Sequence, residues 1–261
     1  MNRVVVAYGD CSPETVLDND YLVEIRERFA ENLEIEYTFF GGNLGSAEGH
    51  NRLLAHTASD LVVIFNPDVL ASPRLFIELI DGLATPDAGF VEARQLPVEH
   101  QKDYDRDTGE TSWGSTACLI GAAALFKELD GFDSKSFFLY GDDVDLSWRA
   151  RLRGKKVIHR DSAVVYHDKR LDNRGCWMTS AAERYYSAEA ALMLTHKFSR
   201  PDLTETYLQY FLSSENPDME KAAKAFETRR SEGQLPAPVD EDHKVGQFIA
   251  GAYAHHRFNA R

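Results

Sequence analysis

Apolar runs and amphipathic stretches alternate through residues 1–95. The β-branched run "RVVVAYGD" ends in Gly-Asp, as a buried strand followed by a turn does. Strand-like patterns recur in "LEIEYTFF", "DLVVIFNPDVL" and "AGFVEARQL". Between them, apolar residues fall at helical spacing in "DYLVEIRERFAE", "AEGHNRLLAHTAS" and "SPRLFIELIDGLA". This alternation of strands with helices predicts an α/β fold built on a mostly parallel sheet.

Polar residues stand just past the ends of these strands. In open α/β sheets, ligands bind at the carboxyl ends of the strands, so such residues are the first candidates for a binding site. They are Asp10, Asn43, Asn66, Asp68 and Arg94.

Residues 97–116 form a long polar stretch without periodicity. Loops of this length in compact domains are mostly functional or disordered, so we predict a polar segment that is mobile without substrate and closes as a lid. From about residue 175 the pattern is helical, and the tail after residue 214 is rich in charge. We therefore predict a main domain over residues 1–200. A helical C-terminal extension over residues 201–261 follows it and is a candidate for loose attachment.

The stretch "GDDVDLSWRARLRG" crowds three aspartates at the start of a helix predicted over residues 143–153. Carboxylates are stabilised at a helix N-terminus, which also keeps them ionised and able to accept a proton. A helix start needs one capping aspartate, yet Asp142, Asp143 and Asp145 stand together after four aromatic residues. A solvated helix start and a water-poor catalytic site are both open interpretations. On the helix, Asp145 is expected to pair with the arginines that follow.

Two further patterns carry possible chemistry. In "NPDV", Asp68 and Asn66 could hold a hard divalent cation together with substrate phosphates, although an ordinary Asn-Pro turn is the favoured reading of the motif alone. "GGNLGSAEGHN" could bind a phosphate or a sugar with its backbone amides, or could be a turn and helix cap. It lacks the lysine and the glycine spacing of nucleotide-binding loops. His167 ends a strand and is, by itself, more typical of an ordinary core or surface histidine.

Composition narrows the class of protein. The 261 residues are 43% apolar and carry a net charge of −13, which is ordinary for a globular chain and disfavours nucleic-acid binding. The cysteines Cys11, Cys118 and Cys176 fit no metal spacing and are expected to be reduced thiols of a cytoplasmic protein. The longest apolar run, "ACLIGAAALF", is about half a membrane span. No transmembrane segment is predicted, while contact with a membrane surface and oligomerisation stay open.

Six motifs in a fixed order carry a family resemblance. They are "YGDCSPE", "NLGSAEGHN", "VVIFNPDV", "STACLIGAAALF", "GFDSKSFFLYGDDVDLSWRARLRG" and "AVVYHDKR". The series resembles the family 2 glycosyltransferases, particularly the rhamnosyltransferase- and galactofuranosyltransferase-like branch, over about residues 4–200. The resemblance implies the GT-A fold, a Rossmann-like, mostly parallel mixed sheet with helices on both faces. The run "VVVAYGDCSP" resembles the second strand of that family, so the usual first strand is expected to be missing or supplied by another part of the polypeptide.

The resemblance also implies roles for individual residues. Asp68 occupies the metal-binding position of the family, with His167 as a second ligand for Mg²⁺ or Mn²⁺. Asp143 is the implied general base, and Asp142 is its partner in the acidic pair. Trp113 is placed near the acceptor.

Other residues are expected on the donor side. The turn at Asp10 and Ser12 corresponds to the region near the nucleotide base and ribose, and Asn43 and Gly45 to the lining of the donor pocket. Asn66 stands at the position of the first acid of the metal motif. Arg94 joins this group through its place after a strand.

The activity implied is that of an inverting glycosyltransferase. A nucleoside-diphosphate sugar, such as a UDP- or dTDP-sugar, would donate its sugar to a hydroxyl of a glycan or lipid-linked acceptor in polysaccharide or lipopolysaccharide assembly. A sugar nucleotidyltransferase is an alternative, but it calls for a basic phosphate loop after the first strand, and "YGDCSPE" has no Lys or Arg. A non-catalytic sugar-nucleotide-binding domain is the third possibility.

Overall fold

A computed structural model describes residues 4–100, 102–175 and 177–254, and these form an α/β fold. The strands are β1 (Val4–Asp10), β2 (Leu33–Phe39), β3 (Leu61–Phe65), β4 (Val69–Ala71), β5 (Ala88–Leu96), β6 (Glu110–Thr111), β7 (Cys118–Ala122) and β8 (Lys156–His167). The helices are α1 (Asn19–Phe29), α2 (Gly45–Leu54), α3 (Leu75–Leu83), α4 (Ala123–Glu128), α5 (Asp142–Leu152), α6 (Ala181–Lys197), α7 (Pro201–Leu212) and α8 (Pro217–Ser231). The strands and helices predicted before residue 96 are all present.

Two sheets make up the β-structure of the described residues. β1 and β2 pair in parallel, from Val4 opposite Leu33 to Asp10 opposite Phe39. The larger sheet has the order β3-β7-β5-β8-β4, with β6 added to β8. Within it, β5 and β8 are parallel, whereas the pairs β3–β7, β5–β7, β4–β8 and β6–β8 are antiparallel.

The GT-A type of mixed sheet with helices is thus confirmed, but parallel pairing is less frequent than the sequence pattern predicted. The pattern reports only where strands occur, because apolar runs read the same in either direction. β7 inserts between β3 and β5 and runs against both of them. Of the two parallel pairs, β1 and β2 are connected through helix α1, and β5 and β8 come from separate parts of the chain.

Several helices begin where short polar side chains can bind free backbone N–H groups. Asp18 accepts from Tyr21 N at the start of α1, and Ser180 accepts from Glu183 N at the start of α6. Asn216 does the same for α8, where Pro217 follows in the first turn. These caps satisfy backbone N–H groups of the first turn and so fix the residue at which each helix begins.

The C-terminal helices share a core with the helix that carries the three aspartates. Trp148 of α5, Phe211 of α7 and Phe226 of α8 are buried in a single apolar cluster with Leu192 of α6. The predicted boundary near residue 200 falls between α6 and α7, whose side chains meet in this cluster. The division into two domains stays a prediction, and α7 and α8 lie firmly against α6 in the described structure.

The N-terminal strands are covered far less well. Of the described residues 4–39, only Asp10 and Leu22 are buried. α2 connects this unit to the main sheet, because Leu53 approaches Gly9 of β1 while Leu54 packs on the core beside β3. Within the described part of the chain, β2 is the only strand that pairs with β1. The expectation that a strand usual in the family is missing, or is supplied by another part of the polypeptide, stays a prediction.

Parts of the stretch 97–116 are buried, although the sequence predicted a polar loop there. Trp113 is 4% exposed, and the Lys102 side chain is 5% exposed with its Nζ 2.5 Å from Glu92 Oε1. Lys102 Nζ also donates to the Trp113 carbonyl oxygen at 3.0 Å. The stretch that the sequence pattern described as a polar loop therefore packs into the core at these positions, because a buried carboxylate on β5 pairs with the lysine. Its movement on substrate binding stays a prediction.

Candidate active site

One pocket of about 380 Å³ opens where β3 and β8 end and α2 and α5 begin. Its walls combine acidic, aromatic and basic side chains. The predicted site residues that line it are Asn66, Asp68, Trp113, Asp142, Asp143 and His167. Other side chains that line it are Ser46, His100, Lys169, Trp177, Tyr253 and Ala254.

A strained turn delivers the acidic pair to this pocket. Tyr140 and Gly141 both have positive φ, 65° and 74°, and turn the chain directly into α5. A Cβ on Gly141 would come within 2.7 Å of the Ala190 Cβ, so glycine is the residue that fits there. Asp142 and Asp143 are the first two residues of the helix, where its dipole favours negative charge. The catalytic pair predicted from the sequence therefore sits on a rigid element that faces the pocket.

The two aspartates have different environments. Asp142 is 3% exposed, and its Oδ2 accepts a 2.8 Å hydrogen bond from Ser46 Oγ. Burial raises the pKa of Asp142 to about 7, and the neighbouring Asp143 carboxylate adds to the rise. Asp143 is partly exposed at the pocket wall, where its Oδ1 accepts from Val144 N at 2.9 Å. Near neutral pH, the pair can therefore share a single proton, held mainly on Asp142.

The third aspartate points away from the pocket. Asp145 is completely buried, with Oδ2 2.7 Å from Arg149 Nε and Oδ1 2.5 Å from Lys197 Nζ. Lys197 Nζ also lies 2.7 Å from Asp133 Oδ2. The predicted pairing of Asp145 with a following arginine is confirmed, and a lysine of α6 joins it. This aspartate therefore ties α5 to α6 and does not line the pocket.

Asp68 and His167 meet across the antiparallel pair β4–β8. Val69 stands opposite His167 in the register, and Asp168 N donates to the Asp68 carbonyl oxygen at 2.9 Å. Asp68 Oδ2 lies 3.2 Å from His167 Nε2, and the imidazole holds the pKa of the carboxyl below its ordinary value. The Asp68 side chain is 51% exposed and the His167 side chain 7% exposed. An open carboxylate and a fixed ring nitrogen thus stand side by side at the pocket.

Asp68 and His167 suit a divalent ion that brings other ligands with it. Within residues 4–100, 102–175 and 177–254, no group of three or more His, Cys, Asp or Glu side chains could hold a metal ion. Mg²⁺ is usually bound by one or two carboxylates together with substrate phosphates and water, so a complete protein cage is not required. One carboxylate oxygen and one imidazole nitrogen are compatible with either Mg²⁺ or Mn²⁺. Asn66 lies close by on the same pocket wall.

The predicted donor residues Asp10 and Ser12 lie outside this pocket lining. Asp10 ends β1, and its carboxylate accepts from Ser12 N at 2.9 Å, from Val16 N at 3.0 Å and from the Tyr37 hydroxyl. The Tyr37 hydroxyl and these backbone N–H groups hold the pKa of Asp10 far below its usual range. Asp10 thus organises its own turn, and contact with a nucleotide base and ribose at this turn stays a prediction.

Asn43, Gly45 and Arg94 also fall outside the lining. Asn43 Oδ1 accepts from Gly45 N at 3.1 Å. Gly45 has φ +73°, and a Cβ there would collide with the Phe138 carbonyl oxygen. That carbonyl accepts from Ser46 N at 2.9 Å, so this glycine loop fastens α2 to the segment before α5. Arg94 is exposed on β5.

The sequence patterns missed an aromatic wall of the pocket. The His100 ring lies 5.8 Å from both the Trp113 and the Trp177 rings. Lys169 Nζ lies 4.2 Å from the Trp177 ring centroid, and Lys102 Nζ lies at the same distance from Trp113. The predicted acceptor residue Trp113 is thus one member of a larger group. Tryptophans beside a basic segment were a usable signal, but their meeting depends on the tertiary fold.

Ser46, Tyr253 and Ala254 were also missed. Ser46 binds a residue 96 positions later in the chain, a partnership that no local pattern encodes. Tyr253 is 7% exposed and Ala254 is 4% exposed, although they follow the charged tail. The apolar letters around them, "FIAGAYA", were the only signal that this part of the tail returns to the core.

Comparison with known proteins gives several relatives, while no protein-family model matches the sequence. N-acetylglucosaminyl-diphospho-decaprenol L-rhamnosyltransferase of Mycobacterium tuberculosis is 26% identical, over 49% of this chain and 57% of the relative. The low-salt glycan biosynthesis hexosyltransferase Agl10 of Haloferax volcanii is 22% identical, over 60% of this chain and 59% of the relative. The chain therefore spans less than two thirds of the length of these curated relatives.

Solved structures share the fold at lower identity. The mannosyltransferase PcManGT from Pyrobaculum calidifontis, solved with GDP-Man and Mn²⁺, has a TM-score of 0.51 and 20% identity. That match covers 90% of this chain and 67% of PcManGT. GalNAc-T7, solved with UDP, GalNAc and Mn²⁺, has a TM-score of 0.59 and 10% identity, covering 87% of this chain and 49% of GalNAc-T7.

Sequence and structure point the same way. The curated relatives carry names of glycosyltransferases, including a rhamnosyltransferase, and the structural neighbours are GT-A enzymes. Among the described residues, no helix is both long enough and apolar enough to cross a membrane. The motif series and its implied fold are confirmed: the chain is related in sequence to the rhamnosyltransferase-like glycosyltransferases of family 2 and has their GT-A fold.

Proposed function

We propose that this chain is an inverting glycosyltransferase that moves a sugar from a nucleoside-diphosphate sugar to an acceptor hydroxyl. One observation carries the proposal. A single pocket brings together an acidic pair on a helix N-terminus, Asp142–Asp143, and a carboxylate–imidazole pair, Asp68–His167. The first pair suits proton removal and the second suits a metal-bound diphosphate, which are the two chemical tasks of this reaction.

On the donor side, Asp68 and His167 would hold Mg²⁺ or Mn²⁺. Such an ion supplies charge neutralisation for the diphosphate leaving group. The charges of this chain call for such an ion, because the net charge is −13 and the acidic residues that line the pocket outnumber Lys169 and Arg170, so a diphosphate would be repelled. The acidic residues are Asp68, Asp142, Asp143, Asp168 and Glu183. Asn66 can offer a neutral oxygen or N–H group beside them. The donor is proposed to be a UDP- or dTDP-sugar.

On the acceptor side, Asp143 would take the proton from the attacking hydroxyl. Asp142 supports this role, because with its pKa raised to about 7 it can hold a proton and leave the pair with a single charge. The ionised partner is then Asp143, which is the more exposed of the two. The low basicity of a carboxylate suffices when proton transfer is late, after the hydroxyl oxygen has begun to bond to the anomeric carbon.

The aromatic wall of His100, Trp113 and Trp177 is proposed as the acceptor surface. Flat rings offer apolar area to a sugar face while the neighbouring polar groups bind its hydroxyls. The relative from Mycobacterium tuberculosis is named for a diphospho-decaprenol-linked substrate. A glycan or lipid-linked acceptor in polysaccharide assembly, reached in the cytoplasm or at a membrane surface, is the corresponding proposal here.

The decisive experiment compares sugar transfer and donor binding in Asp143→Asn and the parent protein. The amide keeps the shape of the side chain but accepts no proton, so the transfer rate should fall about 10²- to 10⁴-fold. Affinity for UDP or dTDP with Mn²⁺, measured by calorimetry, should change little. Asp20→Asn is the matched control, because Asp20 lies in the first turn of α1 and outside the pocket lining. Transfer by Asp143→Asn at near the parental rate would mean that Asp143 is not the base.

A further inference from the structure

Gln95 is a buried polar residue that the proposed reaction does not use directly. It lies near the end of β5, is 0% exposed, and pairs with Val165 in the parallel register with β8. Two residues further along β8, the His167 ring turns toward it, with Nδ1 2.7 Å from Gln95 Oε1. The other ring nitrogen, Nε2, faces Asp68 Oδ2 at 3.2 Å. The imidazole is therefore held between an amide oxygen and a carboxylate oxygen.

This geometry determines which ring nitrogen can bind a cation. An amide oxygen only accepts hydrogen bonds, so the Nδ1 that faces it must carry hydrogen. In the neutral ring, Nε2 is then left with its lone pair directed at the Asp68 side. A lone pair and a carboxylate oxygen that face each other repel unless a proton or a cation lies between them. A proton on Nε2 can fill that place by forming a hydrogen bond to Asp68, and a divalent ion can replace the proton, so the arrangement suits a cation shared by His167 and Asp68.

Burial makes the arrangement specific. The His167 side chain is 7% exposed, so water has little access to exchange for the Gln95 oxygen. The chain just beyond Gln95 is also fixed, because Gln95 N donates to Glu99 Oε2 at 2.6 Å. Gln95 Nε2 is buried and has no hydrogen-bond partner among the described residues. The Gln95 amide therefore makes its side-chain hydrogen bond to the imidazole, while its buried N–H₂ group has no partner among the described residues.

We propose that Gln95 is a positioning residue for the metal site, which fixes His167 as the Nδ1–H tautomer and thereby directs Nε2 to the ion beside Asp68. The proposal rests on the proposed function, since that function supplies the divalent ion. Groups that orient a metal-binding histidine in this way commonly change metal affinity about 10- to 100-fold when they are removed.

The test uses two substitutions of similar size. Gln95→Met fills the same space but offers no oxygen to Nδ1, and should weaken Mn²⁺ binding about 10- to 100-fold, measured by calorimetry with Mn²⁺ alone and with Mn²⁺ plus UDP. Gln95→Glu keeps an oxygen acceptor for Nδ1 and should therefore bind Mn²⁺ at least about tenfold more tightly than Gln95→Met does. Thr195→Val is the control for a lost polar group at a fully buried position outside the pocket.

A second readout needs no metal. Nitrogen-15 NMR of the His167 ring in the metal-free protein should show hydrogen on Nδ1 in the parent and in Gln95→Glu, and a reduced occupancy of hydrogen on Nδ1 in Gln95→Met. The Nε2–H tautomer in the parent, or unchanged Mn²⁺ affinity in Gln95→Met, would overturn the role of Gln95 and leave the proposed function standing. A parent protein that binds no Mn²⁺, with or without UDP, would overturn the metal site itself and this inference with it.

Discussion

The β1–α1–β2 unit and the bundle of α5, α6, α7 and α8 differ sharply in how they are held. In the first, Val23 of α1 is 52% exposed and Phe29 is 38% exposed, with only Leu22 as a buried apolar residue among residues 4–39. In the second, Trp148 and Phe226 are completely buried. The unit is bound to the rest of the molecule mainly through α2, whereas the bundle helices share one continuous core.

The difference suggests a division of stability within one chain. Regions with few buried apolar contacts open locally at low free energy, and regions with many open only when the whole fold unfolds. The acidic pair stands at the start of α5 and so belongs to the strongly held side. The turn of Asp10 and Ser12 belongs to the weakly held side. The proposed chemistry and the predicted nucleotide contacts therefore rest on elements of unequal stability.

The largest expected effect comes from a matched pair of phenylalanines. Phe226→Ala removes a buried ring from the bundle and should lower the free energy of unfolding by about 3–5 kcal/mol. Phe29→Ala in α1 should lower it by only about 1 kcal/mol, because more than a third of that residue is already exposed to water. Urea denaturation measures both. Equal costs would remove the contrast between the two regions, and a small cost for Phe226→Ala would restore a loosely attached C-terminal extension.

A second pair compares ion pairs of identical spacing. Asp145 and Arg149 are four residues apart with Asp145 fully buried, and Glu48 and Arg52 in α2 are four apart with both side chains more than a third exposed. Asp145→Asn removes one of the two carboxylates beside the buried Lys197, as well as the carboxylate that pairs with Arg149, and should cost about 3 kcal/mol. Glu48→Gln should cost less than about 1 kcal/mol. Thermal or urea unfolding at moderate salt distinguishes them, and comparable losses would contradict the assigned difference in burial.

The last comparison concerns pH and two carboxylates whose pKa values are shifted in opposite directions. The pKa of Asp142 is raised to about 7, so its contribution to stability is complete below pH 4 and is lost as pH rises to 7. The pKa of Asp10 is lowered by the Tyr37 hydroxyl and backbone N–H groups, so its contribution is present above pH 4 and is lost as pH falls below it.

Asparagine variants should therefore diverge with pH. Relative to the parent protein, Asp142→Asn should gain roughly 1 kcal/mol of stability per pH unit between pH 4 and 7. The loss of stability in Asp10→Asn should be largest at neutral pH and smallest near pH 3. Urea midpoints at pH 3, 5 and 7 provide the measurement. If the stability of the two variants relative to the parent changed with pH in the same direction, burial would not be what sets the pKa of Asp142.

The sequence was most informative where chemistry and local structure coincide. The start of α5, the pairing of Asp145 with Arg149 and the placing of Asp68 after β3 depend on neighbours a few residues away, so a pattern can encode them. Strand direction was less accessible, because β7 has an apolar pattern whichever way it runs. The polar letters of 97–116 likewise hid Lys102, whose burial depends on Glu92 in another element.

The sequence identified the acidic residues of the candidate site but did not identify most of the other residues that surround it. Asp142, Asp143 and His167 stand inside motifs that the family resemblance identifies, and all three line the pocket. Gln95 and Trp177 stand outside those motifs and reach the site only because β5 lies beside β8 and the segment after β8 folds back. Such contacts arise from packing between distant elements, and a single sequence without its fold does not report them.

The pocket wall that Tyr253 and Ala254 complete has a consequence for protein synthesis. Ser46 and Asp68 leave the ribosome early, and the acidic pair follows midway, but the wall is closed only after Ala254 has emerged. A growing chain would thus hold the groups that bind metal and remove protons in an open, unfinished cleft. A chain cut before Tyr253 would therefore lack part of the pocket wall, although every side chain proposed to bind metal or remove protons would be present.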